Sequence, residues 1–290
     1  MKLYPECGPC MLKRTLLFCR NADEETKYKV VREVCRLFSE NFSPELTTTQ
    51  MADMRKTAIE KITNDPDPLK DLKDESILEA EKVYPKIESY IEKIKDPKKR
   101  FAAALKVALA GNIVEFGAQD HKVDLKMLEK EIFDVICGPL AIDDSDKIFE
   151  KVKKSKEVLY VTDNAGELIF DRILVKEILR YAKVNLAPLS RPAQDDASVA
   201  EAKKVGMDRL CPIIPRSDSI GVWFERCTPE FLKKWDEAGF IIVKGMGCYE
   251  TLVDYPEKTA GKVGLLMKAK CNAVAKDAKV QLGGAVVKIL

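Results

Sequence analysis

The sequence predicts an α/β protein in which a helical N-terminal region precedes a domain with a mostly parallel sheet. Residues 7–155 carry apolar side chains mainly at helical spacing. From residue 156 onward, short β-branched apolar runs alternate with amphipathic helical segments. Such alternation requires crossover connections, which favour parallel strands. We therefore divide the chain into a helical region, 1–155, which contains a Cys-x-x-Cys segment, and an α/β domain, 156–290.

The composition is that of a folded globular protein. The chain has 290 residues, of which 33% are charged and 46% hydrophobic, and its net charge is +2. Positive and negative charges are interspersed, which argues against a nucleic-acid-binding surface. The apolar runs are too short to span a bilayer, and "MKLYPECGPC" at the N-terminus has no apolar signal segment. We expect a cytoplasmic protein with no membrane partner, and the sequence predicts no particular oligomeric state.

The helical region contains several predicted helices and one clear loop. The two X-Pro steps of "TNDPDPLKD" break any helix there. The expected helices lie within 7–41, at 47–63, at 75–94, from Pro97 onward and at 147–154.

The α/β domain begins with "EVLYVTD", a buried strand by its β-branched apolar character. The other expected strands are "KVNLAPLS" (183–190), "RLCPIIP" (209–215), "FIIVKG" (240–245) and "GAVVKIL" (284–290). The expected helices are 165–182, 197–206, 228–239 and 260–280.

Polar side chains follow four of these strands, and ligands of open parallel sheets bind beyond the carboxyl ends of the strands. Asp163 and Asn164 follow the first strand, and Asp195 and Asp196 follow the second. The strand at 210–214 is followed by Arg216, Ser217, Asp218 and Ser219. Lys244 ends a fourth strand beside a glycine. Carboxylate and amide oxygens suit Mg²⁺ or Mn²⁺, whereas a lysine and a helix N-terminus suit a phosphate. Together these groups indicate metal-assisted phosphoryl chemistry.

Each of these motifs also has a simpler interpretation. Asn164 and Glu167 have the spacing of a capping box, which would only start the helix at 165–182. Asp195 and Asp196 could cap the helix that follows them. The convergence of all these groups at one edge of one sheet favours a functional site.

Five motifs together resemble the metal-dependent damage-control phosphatases, a family formerly described only as a domain of unknown function. They are "GNIVEFG", "VTDNAGE", "RPAQDDAS", "SDSIG" and "KGMGCYETL". The pair "CGPC" and "KAKC" is similar to the stand-alone, cysteine-containing prokaryotic branch. The resemblance implies a helical N-terminal part, a Rossmann-like three-layer α/β domain and a divalent metal, which could be Mn, Mg, Co or Ni.

The resemblance also implies roles for particular residues. The metal ligands would be Asp163, Asn164 and Asp196, with Asp195 as the alternative to Asp196. The family lysine matches Lys244, and the family "GN" motif matches Asn112. The catalytic residues would be Asp163, Asn164, Lys244 and Glu167, and the substrate- or phosphate-binding residues would be Lys244, Asn112, Arg191, Gly166 and Gly245.

The mechanism we expect is attack of a metal-activated water on a small phosphate monoester, such as a sugar phosphate or a damaged phosphometabolite. Lys244 and the N-terminus of the 165–182 helix would neutralise the phosphate. Glu167 would orient Asn164 or position the water. Two rival interpretations stay open: a non-hydrolytic protein that binds a metabolite or metal, and a transferase using the same Rossmann-like site. The dinucleotide signature Gly-x-Gly-x-x-Gly is absent after the first strand.

The cysteines Cys7 and Cys10 have the spacing of a redox dithiol and of two zinc ligands. A thioredoxin-type dithiol follows a strand, and the six residues before Cys7 are too few for a central one. The resemblance implies Cys271 as a third ligand of a second metal, zinc or similar. The alternative is that these thiols are simply buried and reduced.

Overall fold

The computed structural model describes residues 1–111 and 125–290. Within them the strands are Ile142–Asp143 (β1), Glu157–Val161 (β2), Lys183–Ala187 (β3), Phe240–Lys244 (β4), Val263–Lys268 (β5) and Ala285–Ile289 (β6). The α-helices are Cys7–Arg14 (α1), Glu24–Asn41 (α2), Thr48–Thr63 (α3), Lys70–Glu92 (α4), Pro97–Gly111 (α5), Leu125–Cys137 (α6), Ser145–Lys154 (α7), Leu168–Ile178 (α8), Val199–Lys204 (α9), Pro229–Glu237 (α10), Met246–Leu252 (α11), Pro256–Thr259 (α12) and Asn272–Ala278 (α13).

The six strands form one sheet in the order β1-β6-β5-β4-β2-β3. All neighbouring pairs are parallel except β5 and β6, which run antiparallel. The chain leaves β2 toward β3 on one side and returns to β4 on the other. The order therefore reverses at β2, which makes the carboxyl end of β2 the switch point where open sheets bind ligands.

Helices cover both faces of the sheet, which confirms the predicted three-layer α/β class. On one face, Phe101 of α5 and Phe170 of α8 belong to a hydrophobic cluster that includes Tyr160 of β2. On the other face, Trp235 of α10 belongs to a cluster with Leu159 of the same strand. The alternation of neighbouring β2 residues between the two clusters follows from the period of two in a strand.

The helices of residues 1–155 share hydrophobic clusters with the sheet. Met51 of α3 lies in a cluster with Leu265 of β5 and Val286 of β6. The short strand β1 pairs with β6 and so adds a strand from this region to the sheet. The division of the chain at residue 155 stays a prediction.

Two predicted elements are wrong. Residues 260–280, expected to be one helix, form β5 and then α13, because the first half pairs with both β4 and β6. The run 209–215, expected to be a strand, makes only a single bridge between Ile213 and Leu186 of β3. In both cases tertiary pairing decides what local composition leaves ambiguous. In the described part of the chain, no helix combines the length and apolar character needed to cross a membrane.

Candidate active site

The loops after β2 and β3 are joined by backbone hydrogen bonds that bring the predicted metal ligands together. The Ala197 N–H donates to the Asp163 carbonyl at 2.7 Å, and Asn164 and Asp196 form an isolated antiparallel bridge. The capping interpretations do not hold. Helix α8 begins at Leu168, past Asn164, and α9 is capped by Ser198 rather than by either aspartate. Asp163, Asn164 and Asp196 therefore meet at the switch point for a reason other than helix capping.

Burial and neighbouring carboxylates disfavour the ionisation of both Asp163 and Asp196. Removal from water, followed by the Glu167 carboxylate, raises the pKa of Asp163 to about 7, with Lys270 and Lys244 opposing. Asp196 is only 6% exposed. Burial, followed by the Asp163 charge, raises the pKa of Asp196 well above its usual value, with Arg216 opposing. Several carboxyl groups are thus concentrated at this edge of the sheet, where burial and one another's charge disfavour their ionisation.

The Asp163 carboxylate lies directly against the backbone of Gly245. The φ of this glycine, 86°, is in the left-handed region that favours glycine. A Cβ at this position would lie 2.1 Å from the Asp163 Cγ, far inside any allowed contact. Gly245 therefore acts by its lack of a side chain, and its own N–H donates to the Leu266 carbonyl within the sheet.

Lys244 lies beneath the site rather than in the cleft. It is fully buried, its Nζ donates to Glu167 Oε2, and the same Nζ donates to Asp171 Oδ1 at 2.7 Å. The Tyr160 hydroxyl donates to the same Asp171 oxygen at 2.7 Å. Burial disfavours the ammonium, but the two carboxylates outweigh it and hold the pKa of Lys244 above its usual value. Burial raises the pKa of Asp171 to about 6, with Lys244 opposing.

Glu167 connects this buried lysine to Asn164. The Asn164 Nδ2 donates to Glu167 Oε1 at 2.7 Å, while Glu167 Oε2 accepts from Lys244. Because its amide nitrogen is engaged by Glu167, the remaining polar atom of Asn164 is its oxygen, an acceptor suited to a cation. The chain Lys244–Glu167–Asn164 thus fixes the orientation of a predicted ligand.

The edge opens into a cavity of about 220 Å³ that contains both predicted sites. The three predicted metal ligands line it, and so do Cys7, Cys10 and Cys271. The sequence alone did not predict that these two groups would share one cavity. Among its other lining residues are three cations, Arg14, Arg55 and Lys270.

The cysteines do not have the environment of an activated redox dithiol. Cys7 is the first residue of α1 and is buried, whereas Cys10 is exposed. Burial raises the pKa of Cys7 and also that of Cys271, which disfavours the reactive thiolate. Within residues 1–111 and 125–290, no three or more His, Cys, Asp or Glu side chains are grouped closely enough to hold a metal as they stand. The second metal at these thiols stays a prediction.

Two other predicted residues, Arg191 and Gly166, are not among the residues that line the cavity. The Arg191 side chain is 45% exposed and pairs with Glu60 at 2.8 Å. Gly166 lies against Ser76, whose Oγ would be 2.8 Å from an added Cβ, so its small size serves packing. Asn112 lies outside the described residues.

Two residues to which the sequence assigns no role lie around this site, Arg216 and Asp171. Arg216 is fully buried, with Nη2 3.7 Å from Asp196 Oδ2 and Nη1 donating to the Thr162 carbonyl at 3.3 Å. Asp171 follows Glu167 by four residues, so both project from one face of the helix start. The i,i+4 spacing of Glu167 and Asp171 at the start of α8 was the available signal for Asp171.

The fold and site define an α/β protein with a polyanionic edge at the switch point of its sheet. Residues 3–286 match the damage-control phosphatase ARMT1-like domain, and the chain belongs to this family. It is 30% identical to a damage-control phosphatase of Pyrococcus horikoshii, over 99% of this chain and 97% of that protein. It is 31% identical to a damage-control phosphatase of Archaeoglobus fulgidus over the full length of both. A crystal structure of a DUF89 family protein from Pyrococcus horikoshii is similar with a TM-score of 0.90 and 29% identity, covering 100% of this chain and 99% of that one. Membership of this family supports a phosphatase role.

Proposed function

We propose that the protein is a metal-dependent phosphatase that hydrolyses small phosphate monoesters, such as sugar phosphates or damaged phosphometabolites. The observation that carries the proposal is the proximity of Asp163 and Asp196: Asn164 and Asp196 form a backbone bridge, and the Asp163 charge helps to raise the pKa of Asp196. Two such carboxylates and the amide oxygen of Asn164 are a donor set that fits a hard divalent cation. Mg, Mn, Co and Ni all accept these ligands.

The cation would supply Lewis-acid polarisation of the phosphate and a water nucleophile at neutral pH. The residues around it would do the rest. Glu167 holds the amide of Asn164, and the hydrogen bond from Lys244 holds Glu167 in place, so Lys244 is a positioning residue in this proposal. Lys270 lines the cavity and acts electrostatically on Asp163, which suits it to contact the phosphate oxygens.

Phosphate release tests the proposal. p-Nitrophenyl phosphate and a panel of sugar phosphates would be incubated with chelator and then with each divalent metal. We expect release only with metal, and loss of at least ~100-fold in Asp163→Ala, since the site loses a ligand. Asp208→Ala, at an exposed position remote from the cavity, is the control. Release that persists in chelator, or in Asp163→Ala, would contradict the proposal.

A non-hydrolytic binding role is the second candidate, because the same cavity could retain a phosphorylated metabolite without turnover. Binding of inorganic phosphate with no release from any ester, under every metal, would favour it.

A further inference from the structure

Arg55 is a buried cation with no carboxylate within ion-pair distance in the described part of the chain. It is 2% exposed, and no ion pair within 4.0 Å joins it to an acidic residue of 1–111 or 125–290. Its Nη1 donates to the Met11 carbonyl at 2.7 Å, but its buried Nε has no hydrogen-bond partner there. A buried guanidinium without a paired charge destabilises the folded protein, because the free energy of removing the charge from water is offset only when a partner charge lies close to it.

The electrostatics agree with the geometry. Burial, followed by the like charge of Arg14, lowers the pKa of Arg55 to about 10. The two guanidiniums lie near the same aromatic ring, with Cζ of Arg55 4.7 Å and Cζ of Arg14 5.7 Å from the centroid of Phe18. Arg14 has one long contact to a carboxylate, 3.9 Å from Asp195, and is half-exposed. An anion between two such cations would relieve their repulsion.

Both arginines line the cavity that contains Asp163 and Asp196, but they come from a different wall. Arg14 ends α1 and Arg55 lies on α3, whereas the carboxylates follow strands of the sheet. The cations that act on Asp163 are Lys270 and Lys244, while Arg55 interacts with Asp195 and Cys10. The two arginines therefore lie on a different wall of the cavity from the predicted metal ligands.

We propose that Arg55 and Arg14 bind a second anionic group of the substrate, a carboxylate or a further phosphate, at the end remote from the phosphate that is hydrolysed. This inference rests on the proposed function. It narrows the substrate class to phosphate monoesters that carry another negative charge, such as phosphorylated acids or bisphosphates. A guanidinium group can bind either a carboxylate or a phosphate, because its paired N–H donors match the oxygens of both groups.

Phosphonates test this without turnover, because their C–P bond is not a substrate for hydrolysis. Calorimetry with Mn²⁺ present would compare 3-phosphonopropionate and propane-1,3-diphosphonate with propylphosphonate, which lacks a second anionic group. We expect the two probes with a second anionic group to bind roughly 10- to 100-fold more tightly to the wild type, the effect typical of a charged hydrogen bond. Preference for one of the two would identify the second group as carboxylate or phosphate.

The variant Arg55→Met keeps the length of the side chain and removes its charge. We expect it to lose most of the preference while its affinity for propylphosphonate changes less than about 3-fold, the spread typical of such measurements at independent sites. Its melting temperature should not fall far, because an unpaired buried charge has been removed. Arg14→Gln, at a half-exposed position that tolerates substitution, should reduce the same preference. Arg172→Met is the matched control, since Arg172 packs 4.1 Å from the Tyr84 ring centroid and does not line the cavity.

No preference in the wild type, or an undiminished preference in both Arg55→Met and Arg14→Gln, would overturn the inference. Phosphate release measured in parallel separates the two claims. Release without any preference for the probes that carry a second anionic group would refute only the arginine site. Preference without release from any ester would keep the arginine site and refute the phosphatase.

Discussion

The Cα of Gly245 lies against the carboxylate of Asp163, with 2.1 Å between an added Cβ and the Asp163 Cγ. Gly245→Ala must therefore displace Asp163 or the strand end beneath it. A misplacement of about 1 Å can cost a factor of ~100 in rate, and we expect at least that loss of phosphate release. The measurement is kcat/KM for p-nitrophenyl phosphate.

Gly261 offers the control for this substitution. It also has a positive φ, 69°, but no atom lies within 4 Å of an added Cβ. Gly261→Ala should cost only about 1 kcal/mol of backbone strain and leave kcat/KM unchanged. Equal losses in the two variants would show that backbone strain alone, rather than the contact with Asp163, accounts for the effect.

Lys244→Met should destabilise the fold strongly. The substitution leaves Glu167 and Asp171 buried without their cation, and breaking a buried pair in this way costs about 3–5 kcal/mol. Adding Asp171→Asn should recover part of the loss, because one of the two uncompensated charges is then removed. Urea denaturation measures both effects.

Lys234→Met provides the comparison for that experiment. Lys234 pairs with Glu157 at 2.9 Å near the surface, where the same chemical change should cost about 1 kcal/mol or less. A loss in Lys244→Met no larger than in Lys234→Met would mean that the buried network contributes nothing beyond an ordinary surface pair.

Glu250 should make the metal-free protein less stable as the pH rises. Burial raises the pKa of the Glu250 carboxyl to about 7 in the folded chain, from an ordinary value of 4.5. Between these values the unfolded chain ionises Glu250 while the folded chain keeps it protonated, so the free energy of unfolding falls with increasing pH. Glu250→Gln lacks this titration. The free energy of unfolding of the variant minus that of the wild type should therefore increase from pH 4.5 to 7 and stay constant above pH 7.

Denaturation with chelator across this pH range measures the difference between the two proteins. Glu257→Gln, at an exposed position in α12, corrects for the substitution itself. A Glu250→Gln difference that stays flat with pH would show that the carboxyl is ionised in the folded chain as readily as in the unfolded one.

Cys7 should react slowly with alkylating reagents. It is buried and its pKa is raised, so little thiolate is present or accessible at pH 7. Mass spectrometry after limited treatment with iodoacetamide should show Cys10 and the exposed Cys35 modified before Cys7. Preferential modification of Cys7 would instead indicate an activated thiol and revive a redox role for the dithiol.

The positions of Asp163, Asn164 and Asp196 could be predicted from sequence because each follows a strand whose apolar, β-branched character is plain. The neighbours that each side chain contacts could not be predicted from the sequence. Lys244 ends β4 beside a glycine, which is a sequence context typical of phosphate binding. Its buried side chain instead donates to Glu167 and Asp171. That outcome depends on which helix covers the strand, and α8 supplies the two carboxylates from a separate part of the chain.

Contacts between parts of the chain that are distant in sequence account for the other differences between prediction and structure. Arg55 belongs to an amphipathic helix in the N-terminal region, and only its packing onto the sheet edge brings it to the cavity. Strand β5 was expected to be helical because "KVGLLMKAK" runs into an alanine- and lysine-rich helix without a clear break. Pairing with β4 and β6 makes this segment a strand, and no pattern within the segment's own sequence predicts that pairing.

The neighbours Asp195 and Asp196 allow the most direct test of the metal site. Asp196 is buried beside Asp163, whereas Asp195 is half-buried and lies 3.9 Å from Arg14. Mn²⁺ binding by calorimetry and Mn²⁺-dependent phosphate release would be measured on Asp196→Asn and Asp195→Asn. We expect Asp196→Asn to lose both, by ~100-fold or more in release, and Asp195→Asn to bind Mn²⁺ as the wild type does. Full Mn²⁺ binding and release in Asp196→Asn would contradict a metal site built from Asp163, Asn164 and Asp196.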